Sequence, residues 1–238
     1  MRKLSFLLIP GLLLLALLPS CRKVSGDGPV VTETRNVSGF SDIRSDFPGD
    51  IFLTPGNSYN VQIEAQQNII DEIETVLSDG MLTLRVKHHT VIKPDSRVKV
   101  HITSPDIRGI IVSGSGSMNL MEALETPDLY LKVSGSGNIS IPALHTAALD
   151  AHISGSGEID IYSGTTGSES LGISGSGSMD FSGLQATDAD VEITGSGNAK
   201  VHATGTLKVR ISGSGSVYYR GSPSIDVNIT GSGKLKPF

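Results

Sequence analysis

The chain has 238 residues with 28 Gly, no Trp, a single Cys and a net charge of −5 at pH 7, both signs being scattered along it. The mild, dispersed charge excludes a basic nucleic-acid stripe and a charge-block disordered tail, and one cysteine excludes an intrachain disulfide. So many glycines and so few aromatics suit tight turns and small side chains better than a deep aromatic pocket.

Arg2 and Lys3 precede an apolar run from Leu4 to Leu18, which reads as an export signal over residues 1–20. The run ends in Leu18-Pro19-Ser20-Cys21 and resembles a bacterial lipoprotein signal. That resemblance implies cleavage before Cys21, lipid on its sulfur and on the new N-terminus, and a membrane partner reached through the anchor. Residues 21–29, polar and Gly-bearing, are expected to tether lipid to fold.

Residues 30–110 form a β-rich region. Val30 to Val37, Asp50 to Leu53, Tyr59 to Ala65, Met81 to Val86 and Arg97 to Ile102 are strand candidates, bounded by turn signals such as Pro55-Gly56-Asn57 and Ser78-Asp79-Gly80. Between them Ile69, Ile70, Ile73, Val76 and Leu77 share one helical face, so a short helix is expected near 67–77 with Asn68 as its N-cap. His88 and His89 have no partner at metal-ligand spacing.

From residue 111 to 238 one corner recurs. Ser113-Gly114-Ser115-Gly116 returns at 134, 154, 174, 194, 212 and 230, with Thr replacing the first Ser at Thr194 and Thr230. A period near 20 predicts an all-β solenoid, a β-helix-like stack in which each coil buries its apolar side only against a neighbour. Val112, Val133, Ile153, Ile173, Ile193, Ile211 and Ile229 fall in one column just before the corner, and Met118, Ile139, Ile159, Met179, Ala199, Val217 and Leu235 in another just after it. Period 2 turns both columns inward. The glycines imply a bend with positive φ or no room for a Cβ, and the unvarying middle Ser suggests either a hydroxyl ladder satisfying backbone groups or a Ser/Gly edge for a repetitive ligand. The stack would be about 30 Å tall with open strand edges at its ends. Lys234, Lys236 and Pro237 would blunt the last coil and the N-terminal region would cover the first.

Phe52-Leu53 through Val61-Gln62-Ile63-Glu64-Ala65, Asn68-Ile69-Ile70, Ile73-Glu74-Thr75, Ser78-Asp79-Gly80-Met81-Leu82 and the Gly-Ser-Gly repeats such as Gly135 to Ile139 together resemble the putative auto-transporter adhesin, head GIN domain family. The resemblance runs from about Val37 to the end. It implies a β-helix-like fold and an adhesive role in the bacterial cell envelope, as an outer-membrane lipoprotein facing the periplasm or the cell surface, with no active site or cofactor to carry over.

The outward positions after the corners supply a candidate ligand face: Glu158, Asp160, Tyr162, Asp180, Lys200, His202, Tyr218 and Arg220. Asp160 and Asp180 occupy equivalent sites on neighbouring coils, so their backbones should lie about 4.8 Å apart. Three readings follow. The first is a non-enzymatic adhesion module binding a glycan or protein. The second is a polysaccharide-active enzyme using Glu158, Asp160 and Asp180, and the third is a periplasmic structural or regulatory lipoprotein.

Overall fold

The computed structural model describes residues 22–93 and 96–238; the export signal and Cys21 lie outside them. In chain order the first strands are β1 (Arg22–Val24), β2 (Val30–Arg35), β3 (Asp42–Asp46), β4 (Asp50–Pro55) and β5 (Asn60–Gln66). One helical turn, α1 (Gln67–Ile70), leads to β6 (Ile73–Ser78), β7 (Met81–Val86), β8 (Thr90–Ile92) and β9 (Lys99–Ser104). The repeats hold β10 (Gly109–Gly114), β11 (Ser117–Leu120), β12 (Leu124–Gly135), β13 (Asn138–Ile141), β14 (Leu144–Gly155) and β15 (Glu158–Ile161). They continue as β16 (Gly164–Gly175), β17 (Ser178–Gly195), β18 (Asn198–Gly213), β19 (Ser216–Arg220), β20 (Ser224–Gly231) and β21 (Lys234–Pro237).

The repeats form a parallel β-solenoid. Gly114, Gly135, Gly155, Gly175, Gly195, Gly213 and Gly231 pair in one unbroken row. The two apolar columns turn inward as their period requires: Val133, Ile153, Ile173 and Ile193 are buried before the corner, and Ile139, Ile159 and Met179 after it. Two irregularities in the β17–β18 ladder, between Asp180 and Gln185 and between Ala186 and Asp188, let the next coil run two residues shorter and keep its corner in register. The last coil has no neighbour above it, and its inward-column Val227 stays 47% exposed.

Both reasons for the corner glycines hold. At Gly135 φ is +117°, and a Cβ there would sit 2.6 Å from the Gly114 carbonyl oxygen of the coil below. The second glycine has no room either, since a Cβ on Gly137 would meet Val112 Cγ1 at 2.5 Å and Gly116 O at 2.6 Å. The backbone, not a hydroxyl ladder, satisfies the bend. The Ser136 N–H donates to Gly114 O at 2.9 Å and the Ser156 N–H to Gly135 O at 2.8 Å, while the side chains of Ser136, Ser156, Ser176 and Ser196 face solvent.

The stack does not begin at residue 110. β10 lies parallel on β3 and β11 on β4, so Asp46-Phe47-Pro48-Gly49 occupies the place of a Ser-Gly-Ser-Gly corner. Phe47 is buried there, and its bulk hides the repeat from the eye. A further coil lies below, with β7 parallel to β3 and β9 parallel to β4. An end layer then closes this coil: β6 runs antiparallel to β7, β5 antiparallel to β9, and β1 parallel to β8, with β2 outside β5. The N-terminal region covers the first coils as expected.

Two local expectations change. The helix stops after one turn, and Ile73–Ser78 is a strand because Val76 and Leu77 pair with Thr83 and Leu82 of β7. The hairpin through Asp79-Gly80 outcompetes a helical face whose apolar positions also fit an edge strand. Nor is Asn68 a cap: its side chain donates to Ser25 O at 2.8 Å and accepts from the Asp27 N–H at 2.9 Å. Together with the Gly26 N–H on Ser96 Oγ at 2.7 Å, this clamp holds the expected tether against the fold.

Candidate ligand-binding face

The register of β15, β17, β18 and β19 builds the predicted face. Asp160, Asp180, Lys200 and Tyr218 follow one another in a row across the coils, and His202 pairs with Arg220. Glu158, Asp160, Tyr162, Asp180, Ser182 and Arg220 line one open cleft of ≈ 520 Å³. Lys200 joins through its Nζ, 2.7 Å from Asp180 Oδ2. His202 and Tyr218 stay outside the cleft. Tyr162, 63% exposed, stands as an uncovered aromatic at its edge.

The two aspartates differ in acidity. Burial pushes the Asp160 carboxyl up to about 6, helped by the negative charges of Glu158 and Asp180 and opposed by Lys200. Burial also raises Asp180, but hydrogen bonds from Lys200 and Ser182 outweigh it and hold that carboxyl below its ordinary value. Lys200 is raised in turn by its hydrogen bond to Asp180. His202 is lowered by burial and by Arg220.

Both Asp180 oxygens are occupied, Oδ1 by the Ser182 N–H at 3.1 Å and its hydroxyl at 2.6 Å, Oδ2 by Lys200. A carboxylate so engaged is a poor nucleophile or metal ligand, which weakens the paired-carboxylate chemistry. Among the described residues no group of three or more His, Cys, Asp or Glu is arranged to hold a metal ion. The remaining groups can hydrogen-bond hydroxyls and stack one ring face on Tyr162.

Two grooves were not foreseen. One, of ≈ 610 Å³, runs along β12, β14, β16 and β17 and is lined by Asp128, Tyr130, Asp150, Glu169, Asp188 and Asp190 among others. Its acids are partly paired: Arg210 bonds both Asp190 oxygens at 3.0 and 3.1 Å, and His152 Nε2 lies 2.8 Å from Asp150 Oδ1 without a hydrogen bond between them. Glu169 is only 3% exposed, neither of its carboxyl oxygens has a partner, and burial pushes it up to about 8. Its coil equivalents are Leu149 and Ala189. An acid inside an otherwise apolar column was visible to the same alignment that found the two corner columns. The other, a cleft of ≈ 730 Å³ in the end layer, carries two ion pairs, Arg35–Glu33 at 3.0 Å and Arg85–Glu74 at 2.8 Å, with Asp71 and Lys87 also on its wall.

The fold has solved counterparts. A putative adhesin from Bacteroides fragilis NCTC 9343 superposes with a TM-score of 0.86 at 26% identity, over 90% of this chain and 100% of that one. A putative adhesin from Parabacteroides distasonis ATCC 8503 gives 0.76 at 24% identity, over 91% and 100%. A protein from the same organism described as a putative lipid binding protein gives 0.74 at 22% identity, over 91% and 100%. No match is found among curated proteins. The family model described as "Putative auto-transporter adhesin, head GIN domain" matches residues 39–223. The chain, with its parallel solenoid and in-register Gly-Ser-Gly corners, therefore belongs to that adhesin-like family of the bacterial cell envelope.

Proposed function

We propose that this chain is a lipid-anchored, non-enzymatic binding module that presents its solenoid flank to a glycan or protein. The cleft carries the reading: an exposed Tyr162 beside Glu158, Asp160 and Arg220 offers one stacking surface and several hydrogen-bonding groups on a rigid frame. Sugars are recognised by that combination of ring face and hydroxyl partners. The engagement of Asp180 by Lys200 and Ser182 favours binding over catalysis. Anchoring is supported by Arg2 and Lys3, the apolar run to Leu18, and Cys21 directly after Ser20.

The test is an array of bacterial and host glycans and matrix proteins probed with the chain from Arg22 onward, alongside Tyr162→Ala and Asp160→Asn variants. Binding without turnover, weakened in both variants, supports the module. Binding that both variants leave intact removes this cleft from the account, and product release from any polysaccharide removes the non-enzymatic reading. Protease shaving of intact cells separates surface display from a periplasmic position.

A further inference from the structure

The two ends of the stack are finished differently. At the N-terminal end antiparallel strands cover the lowest coil, β6 on β7 and β5 on β9. At the other end β20 and β21 lie parallel on β18 and β19, and no strand of the described residues pairs with their outer edges. The inward column shows the consequence. Leu207, Val209 and Ile211 of β18 are buried, whereas Ile225 and Val227 one level up are 40% and 47% exposed. An open strand edge above an uncovered core is a template for another strand.

Proteins blunt such edges with Lys or Pro. Here Lys234, Lys236 and Pro237 all fall on β21, and β20, from Ser224 to Gly231, has neither. Its sequence is instead self-complementary. Turned end for end about Val227, the strand sets Ser224 against Thr230, Ile225 against Ile229, Asp226 against Asn228 and Val227 against itself. Apolar then meets apolar on the inward side, and a carboxylate meets an amide donor on the outward side. The two levels below would fail the same pairing. The positions of Asp226 and Asn228 are taken by Lys208 and Arg210 in β18 and by Asp190 and Glu192 in β17, and either set would bring like charges face to face.

We propose that the C-terminal coil is a self-association surface: β20 of one copy pairs antiparallel with β20 of a second copy, centred on Val227, and each supplies the closing strand that the other lacks. Antiparallel pairing on a parallel coil is how this fold already closes its first coil. The twofold arrangement uses up both open edges and leaves the covered ends pointing outward, so assembly stops at two. A contact one coil across is at the small end of specific interfaces, which suits a reversible pair. The end layers then lie at opposite ends of a double-length stack. The pairing is independent of the Asp160 cleft; only its use between two facing membranes rests on the lipid anchor proposed above.

Sedimentation velocity of the chain from Arg22 onward, over about 1 to 100 μM, should show a monomer–dimer equilibrium. Asn228→Asp sets acids opposite each other twice in every pair and should weaken the dimer about tenfold. Adding Asp226→Asn to that variant should restore it, with melting temperatures unchanged throughout. The chain from Arg22 has no cysteine, so Val227→Cys introduces a single one, which should link two copies under mild oxidation. Asp226→Cys should not, because its two copies lie two residues out of register, too far apart for a disulfide. A monomer at every concentration, equal affinity of the single and double charge variants, or cross-linking through Asp226→Cys in place of Val227→Cys overturns the proposal, and none of these readouts depends on the anchor. Coupled through Cys21 to maleimide lipids, the chain from residue 21 onward should cluster vesicles, and Asn228→Asp should disperse them; clustering that ignores the substitution, or no clustering, overturns pairing between facing surfaces.

Discussion

Glu169 makes the fold's stability depend on pH in a way that can be worked through. Its carboxyl is almost wholly buried, has no hydrogen-bond partner, and stands between Leu149 and Ala189 of the adjacent coils. Burial disfavours the charged form, so the acid holds its proton up to about 8 in the fold against an ordinary value of 4.5. The unfolded chain binds fewer protons than the folded one throughout that interval, so stability falls as pH rises. The contribution is fully present below about 4.5, declines by roughly 1.4 kcal/mol per pH unit, and is exhausted near 8, a total of about 5 kcal/mol. Replacing Glu169 by Leu restores the column and removes the titration. Urea unfolding of both chains at about pH 5 and about pH 8 is the assay, and the difference between them cancels slopes due to net charge. The Leu variant should gain several kcal/mol more at the higher pH than at the lower. Parallel pH dependences would refute the argument, because they would mean that Glu169 finds water or a cation in the folded state.

The corners permit a controlled comparison. Gly135 and Gly39 both have positive φ, +117° and +81°, but only at Gly135 would a Cβ strike the coil below, 2.6 Å from Gly114 O. Gly39→Ala should cost about 1 kcal/mol from backbone strain alone, whereas Gly135→Ala should cost about 2 to 4 kcal/mol because one coil must also move off another. Equal losses in thermal unfolding would show that close stacking adds nothing. At the cleft, Asp160 is raised by Asp180 and lowered by Lys200. Asp180→Asn should therefore move the Asp160 carboxyl titration below 6 and Lys200→Met should move it above, followed by carboxyl-carbon NMR; shifts in the same direction would show that the three groups are not coupled as placed.

Much of this architecture was readable without coordinates, for a reason specific to solenoids. In-register stacking makes each coil a copy of its neighbour's environment, so comparing Val133, Ile153 and Ile173 within the chain does the work of a burial measurement. That logic failed where a coil departs from its copies. Asp46-Phe47-Pro48-Gly49 occupies the same corner with a buried aromatic in it and without the positive φ of Gly114, and only backbone pairing reveals the equivalence. Ile73 to Leu77 satisfy a helical face and an edge strand alike, and the choice is made by β7, which lies next in sequence but adds its energy only once paired.

The candidate face shows the same division at the level of chemistry. Register alone placed Asp160 beside Asp180, since a repeat of 20 residues leaves their backbones nowhere else to go. It could not say that Ser182 would turn its N–H and hydroxyl onto Asp180 while the in-register Lys200 took the other oxygen, because both depend on side-chain direction. These contacts separate two otherwise equivalent carboxylates: burial, with Glu158 and Asp180 beside it, pushes Asp160 up to about 6, while at Asp180 the hydrogen bonds from Lys200 and Ser182 outweigh burial and hold the carboxyl below its ordinary value. A perfect repeat presents identical groups at every level; the change from 20-residue to 18-residue coils makes the level at which it falls unlike those before it. The cleft forms beside that coil, with Arg220 of β19 among the residues that line it. Selectivity on such a surface arises where the period breaks, and the regular coils on either side supply the rigid frame that holds the break in place.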